Sequence, residues 1–481
     1  MSESSDTTPS AEHGNDQNND SWQQPFDYGS LLEGLNRYFS SRATRSISWR
    51  KSQLDAFLKL LNDNEKAIGE ALYQDLGKCK HEAYVTEIGF LKSDIKHALK
   101  HLKKWTKAVK KSTPLVAQPA KSFVYPEPLG SVLIIGAWNY PLQLTLSPLI
   151  AAIAAGNCAV VKPSELAVNT SAIIAKLLPE YLDKKAVIVV EGGKEETSAL
   201  LAQPFNKFFY TGGEQVGKIV MRAASEHLTP VTLELGGKSP CVIDSDIDFD
   251  IAANRIVWGK WMNAGQTCIA PDYVLIKQES LDEFVAALKK AIESQYSLDP
   301  KQQEEYGRVI NQRHCQRLAG YLDGQNVIYG GQIDLDTCYV SPTLLLNPDP
   351  NSAIMQEEIF GPLLPIVVMP SKQSMADFIN KRPPPLAAYL FTNDKSYEAE
   401  FIDNVAAGNM CINDCTMFML NHALPFGGVG SSGMGRYHGK YGFDTFSHEK
   451  TVMKRSFIFE NNFRYAPFTT FKKFMLNRFI G

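Results

Sequence analysis

Cys268 stands in "NAGQTCIAP", residues 263–271, among small, polar and turn-forming residues rather than in an apolar run. A free cysteine that only fills a core behaves as a small hydrophobe, and these neighbours do not suit that role. A reactive sulfur must be reached as the thiolate, which takes local positive potential or a base. No histidine lies near Cys268 in the chain, so protease-like Cys–His chemistry is not announced. Either another activation operates or the residue is structural.

Other side chains could share a site with it. In "VTLELGG", Glu234 and Thr232 alternate with Val231, Leu233 and Leu235, so the carboxylate faces either a crevice or solvent. In a crevice, poor solvation would raise its pKa toward the range useful to a general base. In "VVKPSE", Lys162 and Glu165 are three apart. They can bracket a diol such as ribose or form an exposed ion pair. "YTGGEQVGK" supplies Thr211, Gly212, Gly213 and Gly217 between the strand-like "KFFY" and a helical pattern. Its amides can face a phosphate, or it can be a plain turn. "GVGSSG", residues 428–433, also fits a glycine fingerprint, but an aromatic, glycine-rich stretch follows it. It is not read as the cofactor loop.

Positioning these groups requires an α/β scaffold. Residues 30 to 108 read helical, with Leu54, Leu58, Leu61 and Ile68 at helical intervals. From 131 to 235 the runs "VLIIG", "CAVVKP", "KAVIVVEGG", "KFFYTGG" and "VTLELGG" alternate with helical patterns, one of them placing Val216, Ile219, Val220 and Ala223 on one face. Such alternation predicts a parallel sheet with ligands beyond the strands' carboxyl ends. Beyond 240 a second α/β unit is expected. "DYVLIK" leads to a Ser280/Glu283 capping box and a helix buried through Leu281, Phe284, Val285 and Leu288. "LLPIVVM", "LAAYLFT" and "MCIN" are further strands, and Pro383 to Pro385 form a loop.

The chain has 481 residues and a formal charge of -3, which points to several domains and gives no pull toward nucleic acid. Its 8 cysteines form no CxxC pair or zinc-spaced array, so no metal site is expected and a reducing cytoplasm fits. Cys411 and Cys415 read as core thiols. Residues 1–24 read as a disordered tail without a signal peptide. No apolar run is long enough to span a bilayer. The amphipathic "FTTFKKFMLNRFIG" suits packing on the protein or a second subunit better than a membrane surface, though peripheral membrane contact stays open.

The motifs "GAWNYP", "AAGNCAVVKPSE", "YTGGEQVGK", "NAGQTCIAPDYVL", "QEEIFGPLLPI" and "LPFGGVGSSGMGRYHGKYGFDTFSHEK" occur in that order between about 30 and 470. Together they resemble the NAD(P)-dependent aldehyde dehydrogenase superfamily, particularly its class 3, fatty-aldehyde and coniferyl-aldehyde branch. The resemblance implies a Rossmann-like cofactor domain (25–232, with a bridging segment about 110–125), a second α/β catalytic domain (233–445), and a small β flap completed by a bridging strand and tail (446–481). It implies Cys268 as nucleophile, Asn139 at the oxyanion and Glu234 as the base that releases the acid. Lys162 and Glu165 would meet the adenosine ribose, Thr211, Gly212, Gly213 and Gly217 the pyrophosphate, and Glu358 and Phe360 the nicotinamide ribose. The cofactor would be NAD, with NADP possible. The substrate would be an aromatic or medium- to long-chain aldehyde, and the assembly a homodimer. CoA acylation, or an inert binding protein on the same fold, are the alternatives. Where family members often have Gly-Ser-Thr or Gly-Asn-Thr, this chain has Gly212-Gly213-Glu214. An acid there disfavours a pyrophosphate unless it turns away.

Overall fold

The structure, a computed structural model, describes residues 27–460 and 462–480. The tail expected over 1–24 lies outside the described residues. Helices Tyr28–Ser40, Ile47–Asp63, Glu65–Leu76 and Gly89–Trp105 occupy the predicted helical region. Asp27 caps the first by accepting from Ser30 N, 3.0 Å away, and Ser46 caps the second by accepting from Trp49 N. Leu54, Leu61 and Ile68 are fully buried and Leu58 partly so.

The strands Ser131–Ile135, Cys158–Lys162, Val187–Val189, Lys207–Thr211 and Val231–Glu234 pair in parallel. Counted in chain order, they lie 3-2-1-4-5 across the sheet. That is the doubly wound order, and its switch point falls between Ser131–Ile135 and Lys207–Thr211. A sixth strand, Gly433–Met434, closes the edge antiparallel, with Gly433 opposite Glu234. The stretch "GVGSSG" therefore ends as a sheet edge and does not open a βαβ unit.

A second sheet of seven strands takes over after Glu234. Its order is Val327–Tyr329, Thr343–Leu346, Leu363–Met369, Tyr273–Lys277, Pro240–Ile243, Ala387–Phe391 and Asn409–Ile412. Only the edge strand Val327–Tyr329 runs antiparallel to its neighbour. Pro383 to Pro385 form a loop just before Ala387–Phe391. The third sheet joins Val109–Lys111, Ala120–Pro128 and Ser447–Arg455, the last two paired from Ser447↔Pro128 to Arg455↔Ala120.

Two local expectations fail. In the helix Glu214–His227 the buried positions are Gly217, Val220 and Ala224, whereas Val216 and Ile219 are exposed. A Cβ at Gly217 would come within 2.9 Å of Leu235 Cδ2, so the helix lies down on its glycine and the apolar stripe rotates outward. Ser280, second, caps nothing. It is buried at the end of a short turn, Gln278–Ser280, with a helix-like ψ of -5° instead of the extended backbone of an N-cap. The helix it precedes, Leu281–Tyr296, buries Leu281, Phe284 and Leu288, with Val285 partly buried.

Candidate active site

The loop carrying Cys268 begins with a backbone that L residues resist. Asn263, Ala264 and Gly265 take φ of 56°, 51° and 74° in succession, and each left-handed non-glycine residue costs about 1–2 kcal/mol. Buried hydrogen bonds offset the strain. Asn263 N donates to Glu82 Oε1 (2.8 Å) and Asn263 Nδ2 to Asn139 O (2.8 Å). Gln266 Nε2 donates to Asn263 O (3.0 Å) and Arg308 O (2.9 Å), while Gln266 Oε1 accepts from Ile310 N (2.9 Å). Only glycine fits at 265, because a Cβ would lie 2.3 Å from Gly361 O. That close approach brings the cysteine loop against the segment bearing Glu358 and Phe360.

Asn139 follows the first strand of the doubly wound sheet and donates Nδ2 to Gln266 O at 2.9 Å. Its carbonyl accepts from Lys78 Nζ at 3.0 Å, and Lys78 pairs with Glu87 at 2.6 Å with neither side chain exposed. Glu87 Oε2 also accepts from Leu142 N and Gln143 N. Tyr140 and Thr267 share a hydroxyl hydrogen bond of 2.6 Å. Two chain segments more than a hundred residues apart are thus clamped together beside the thiol.

Cys268 is partly exposed. Burial, followed by the charges of Glu358 and Glu234, pushes its thiol above the usual range, against the pull of the backbone amides of Cys268 and Ile269. Glu234 is buried with neither carboxylate oxygen hydrogen-bonded. Desolvation raises its pKa well above an ordinary glutamate, and both faces of its strand are covered, so it has no solvated side. Its carbonyl accepts from Gly212 N at 3.0 Å. Burial, reinforced by Asp272, pushes Glu358 up to about 8, while the Gly237 amide, Lys238 and Arg317 oppose. A Cβ at Gly236 would sit 2.1 Å from Glu358 Oε2. Phe360, held at φ 48°, meets Trp138 edge-on at 5.2 Å.

The dinucleotide side has the features that such a ligand needs. Thr211 Oγ1 is buried without a partner, and a Cβ at Gly213 would meet open space at the start of the helix Glu214–His227. Lys162 Nζ, buried at its strand's end, donates to Glu165 Oε2 at 2.6 Å, and Glu165 is half exposed. Glu214 turns along its own helix to pair with Lys218 at 2.7 Å, which removes the conflict its sequence position raised. These groups fit a nicotinamide dinucleotide.

Sequence reasoning missed several members of this neighbourhood. Lys78 and Glu87 sit in the helical region, and Glu87 lies on a widened turn, Tyr84–Ile88, a distortion common at functional sites. A cavity of about 230 Å³ opens on that turn, lined by Tyr84, Val85, Phe90, Ser93, Leu420 and His422. Lys260 is fully buried, with no partner for Nζ, and desolvation lowers its pKa to about 8. Charged residues in otherwise apolar helical stretches were the signal available. Cys415 is buried and lies against Cys241 rather than Cys411, and none of the eight cysteines is disulfide-bonded.

Comparison with known proteins agrees with this geometry. A model of the aldehyde dehydrogenase family matches residues 29–452. A 4,4'-diaponeurosporen-aldehyde dehydrogenase of Staphylococcus aureus is 48% identical, over 90% of this chain and 94% of its own. A rat protein named "aldehyde dehydrogenase, dimeric NADP-preferring" is 45% identical, over 89% and 95%. The solved substrate-bound state of Staphylococcus aureus AldH superposes with a TM-score of 0.92 at 46% identity, covering 94% of this chain and 99% of that one. The chain belongs to the aldehyde dehydrogenase family. It is an oxidoreductase that oxidises aldehydes with NAD(P)+.

Proposed function

We propose that Cys268 adds to the aldehyde carbonyl and that Glu234 is the base that later activates water. Addition gives a thiohemiacetal, whose oxyanion takes a hydrogen bond from Asn139 Nδ2 and another from the Cys268 amide. A nicotinamide cofactor held by the residues named below would supply the hydride acceptor that lets the adduct become a thioester. Glu234 then takes a proton from water, hydroxide attacks the thioester carbonyl, and the carboxylic acid leaves as the thiol is restored. The observation that carries this reading is a partly exposed thiol near a buried carboxylate lacking any hydrogen-bond partner, since an unpaired buried carboxylate is expensive unless function requires it.

Lys162 and Glu165 hold the adenosine ribose, and Glu358 with Phe360 the nicotinamide ribose. Thr211, Gly212, Gly213 and Gly217 form the pyrophosphate turn. Glu165 favours NAD+, because a carboxylate repels a 2'-phosphate. The cavity on the Tyr84–Ile88 turn admits the aldehyde's apolar part, which suits an aromatic or medium- to long-chain substrate. The named substrate of the Staphylococcus aureus relative is consistent with that class.

The cofactor domain comprises 25–232, the catalytic domain 233–445, and the flap 110–125 with 446–481. Ser447–Arg455 is an edge strand of nine residues, and such an edge pairs readily with a second chain. The homodimer uses it, as the rat relative's name supports. Free thiols fit a reducing cytoplasm, and among the described residues no helix is long and apolar enough to cross a membrane.

The decisive experiment is mass spectrometry of the Glu234→Gln enzyme quenched during turnover. An acyl adduct on the peptide containing Cys268 is expected. Free acid released at the unaltered rate, with no adduct, would overturn the assignment.

A further inference from the structure

Away from the dinucleotide turn, four of the chain's histidines lie in successive ring contact, three of them stacked. The ring of His101 lies 4.5 Å from that of His97, His97 lies 4.4 Å from His422 with their planes 7° apart, and His422 lies 5.0 Å from His438. Asp94 faces the last two: its Oδ1 is 3.0 Å from His422 Nε2 and 3.7 Å from His438 Nε2. The three ligand atoms lie within 4.8 Å of one another.

Both histidines lie within ion-pair distance of Asp94 Oδ1, but neither contact has hydrogen-bond geometry. Asp94 Oδ1 and His438 Nε2 are both buried and neither has a hydrogen-bond partner. Buried polar atoms of this kind are normally satisfied, and a cation at their centre would satisfy all three ligand atoms. The outer atoms are already engaged. Asp94 Oδ2 accepts from Ser147 Oγ at 2.6 Å, and the Leu424 backbone hydrogen-bonds the His438 ring. Fixing the far side of these two ligands so that the near side stays free is how proteins orient metal ligands. Beside the cluster is a small void of about 20 Å³ bordered by Asp94, His97, Ser147, Tyr437 and His438. It has room for about one water.

We propose that Asp94, His422 and His438 bind a divalent transition-metal ion of the zinc type, with a water in the fourth position. Two imidazoles and one carboxylate suit such an ion, whereas calcium and magnesium take oxygen ligands. Bond lengths of about 2.0–2.2 Å require only modest closure of the present separations. Sequence spacing could not reveal the site, since its ligands come from the helix Gly89–Trp105, the turn after Met417–Leu420 and the residue preceding Gly439–Thr445. The ion would tie the helix to the segment whose Gly433 pairs with Glu234. Its role is therefore structural support of the base's strand and not a step in aldehyde oxidation.

The test uses the full chain, stripped with a chelator, without cofactor or aldehyde. Zinc ion alone is titrated by calorimetry and thermal unfolding, and cobalt(II) by visible absorption. Stoichiometric binding with a raised Tm is expected, together with a tetrahedral cobalt spectrum lacking thiolate charge transfer. Binding should persist in Cys268→Ser and weaken more than about tenfold in His422→Ala and Asp94→Asn. His422 is partly exposed, so its variant should fold even if the Asp94 variant does not. Absence of binding, affinity unchanged by His422→Ala, or binding lost in Cys268→Ser would each overturn the proposal.

Discussion

The side-chain amide of Asn139 donates to the backbone carbonyl of Gln266 at 2.9 Å, two residues before Cys268. A primary amide carries two protons. One is spent orienting the group, and the other remains for an oxygen held near the sulfur. Asn139→Ala should therefore slow NADH formation in the first turnover by about 10²–10³-fold, the usual cost of one oxyanion donor. Cofactor affinity should barely change, since Asn139 is not placed on the dinucleotide. Rapid-mixing absorbance checks the rate and fluorescence titration the affinity; an unchanged burst would remove Asn139 from the oxyanion site.

The Lys78–Glu87 pair supports that asparagine from behind. Neither side chain is exposed, so removing one partner strands a buried charge at a cost of about 3–5 kcal/mol. Lys78→Met should shift the urea midpoint sharply downward and reduce kcat, because Asn139 O loses one of its two donors and keeps only Asn263 Nδ2. The double variant Lys78→Met/Glu87→Gln should recover part of the stability. Equal urea midpoints for the single and double variants would show that the stranded charge is not what costs the energy.

How far the sequence reached follows from which interactions are local. The strands ending at Lys162, Thr211 and Glu234 were legible because apolar runs closed by glycine or a polar residue are local patterns. The order of those strands across the sheet was not read, since parallel pairing alone leaves it open. Side-chain direction on the helix Glu214–His227 was not legible, because Gly217 docking on Leu235 overrides the apolar periodicity. The left-handed run Asn263–Ala264–Gly265 is equally invisible, since its stability comes from Glu82, Asn139 and Arg308, none of them near in sequence. Lys260 and the histidine stack belong to the same class of tertiary facts.

Cys268 should be a sluggish thiol in the cofactor-free enzyme. Burial and two neighbouring carboxylates raise its pKa above the ordinary 9.0, so the thiol stays protonated at neutral pH and reactivity grows as pH rises. Alkylation by iodoacetamide should keep accelerating above pH 9 without a plateau. Glu358 ionises at about 8 and is anionic over that range. Glu358→Gln should therefore move the whole curve to lower pH. A rate that levels off below neutrality in the parent enzyme would mean that the thiolate is already stabilised without cofactor.

On the proposed reading cofactor choice rests on Glu165, whose carboxylate is half exposed and tied to the buried Lys162. Burial pushes its pKa up, but the Lys162 hydrogen bond and its own backbone amide more than compensate, leaving it below the usual glutamate value. It is thus anionic throughout the working range and repels a 2'-phosphate. A charge–charge term of about 1 kcal/mol for a solvent-screened contact corresponds to about fivefold. Glu165→Gln should raise kcat/KM for NADP+ relative to NAD+ by about that factor, mainly through KM, since the reacting centre is untouched. Steady-state kinetics with both cofactors at fixed aldehyde measures the ratio, and a ratio that stays put would place the discrimination elsewhere, with Lys162 the next residue to vary.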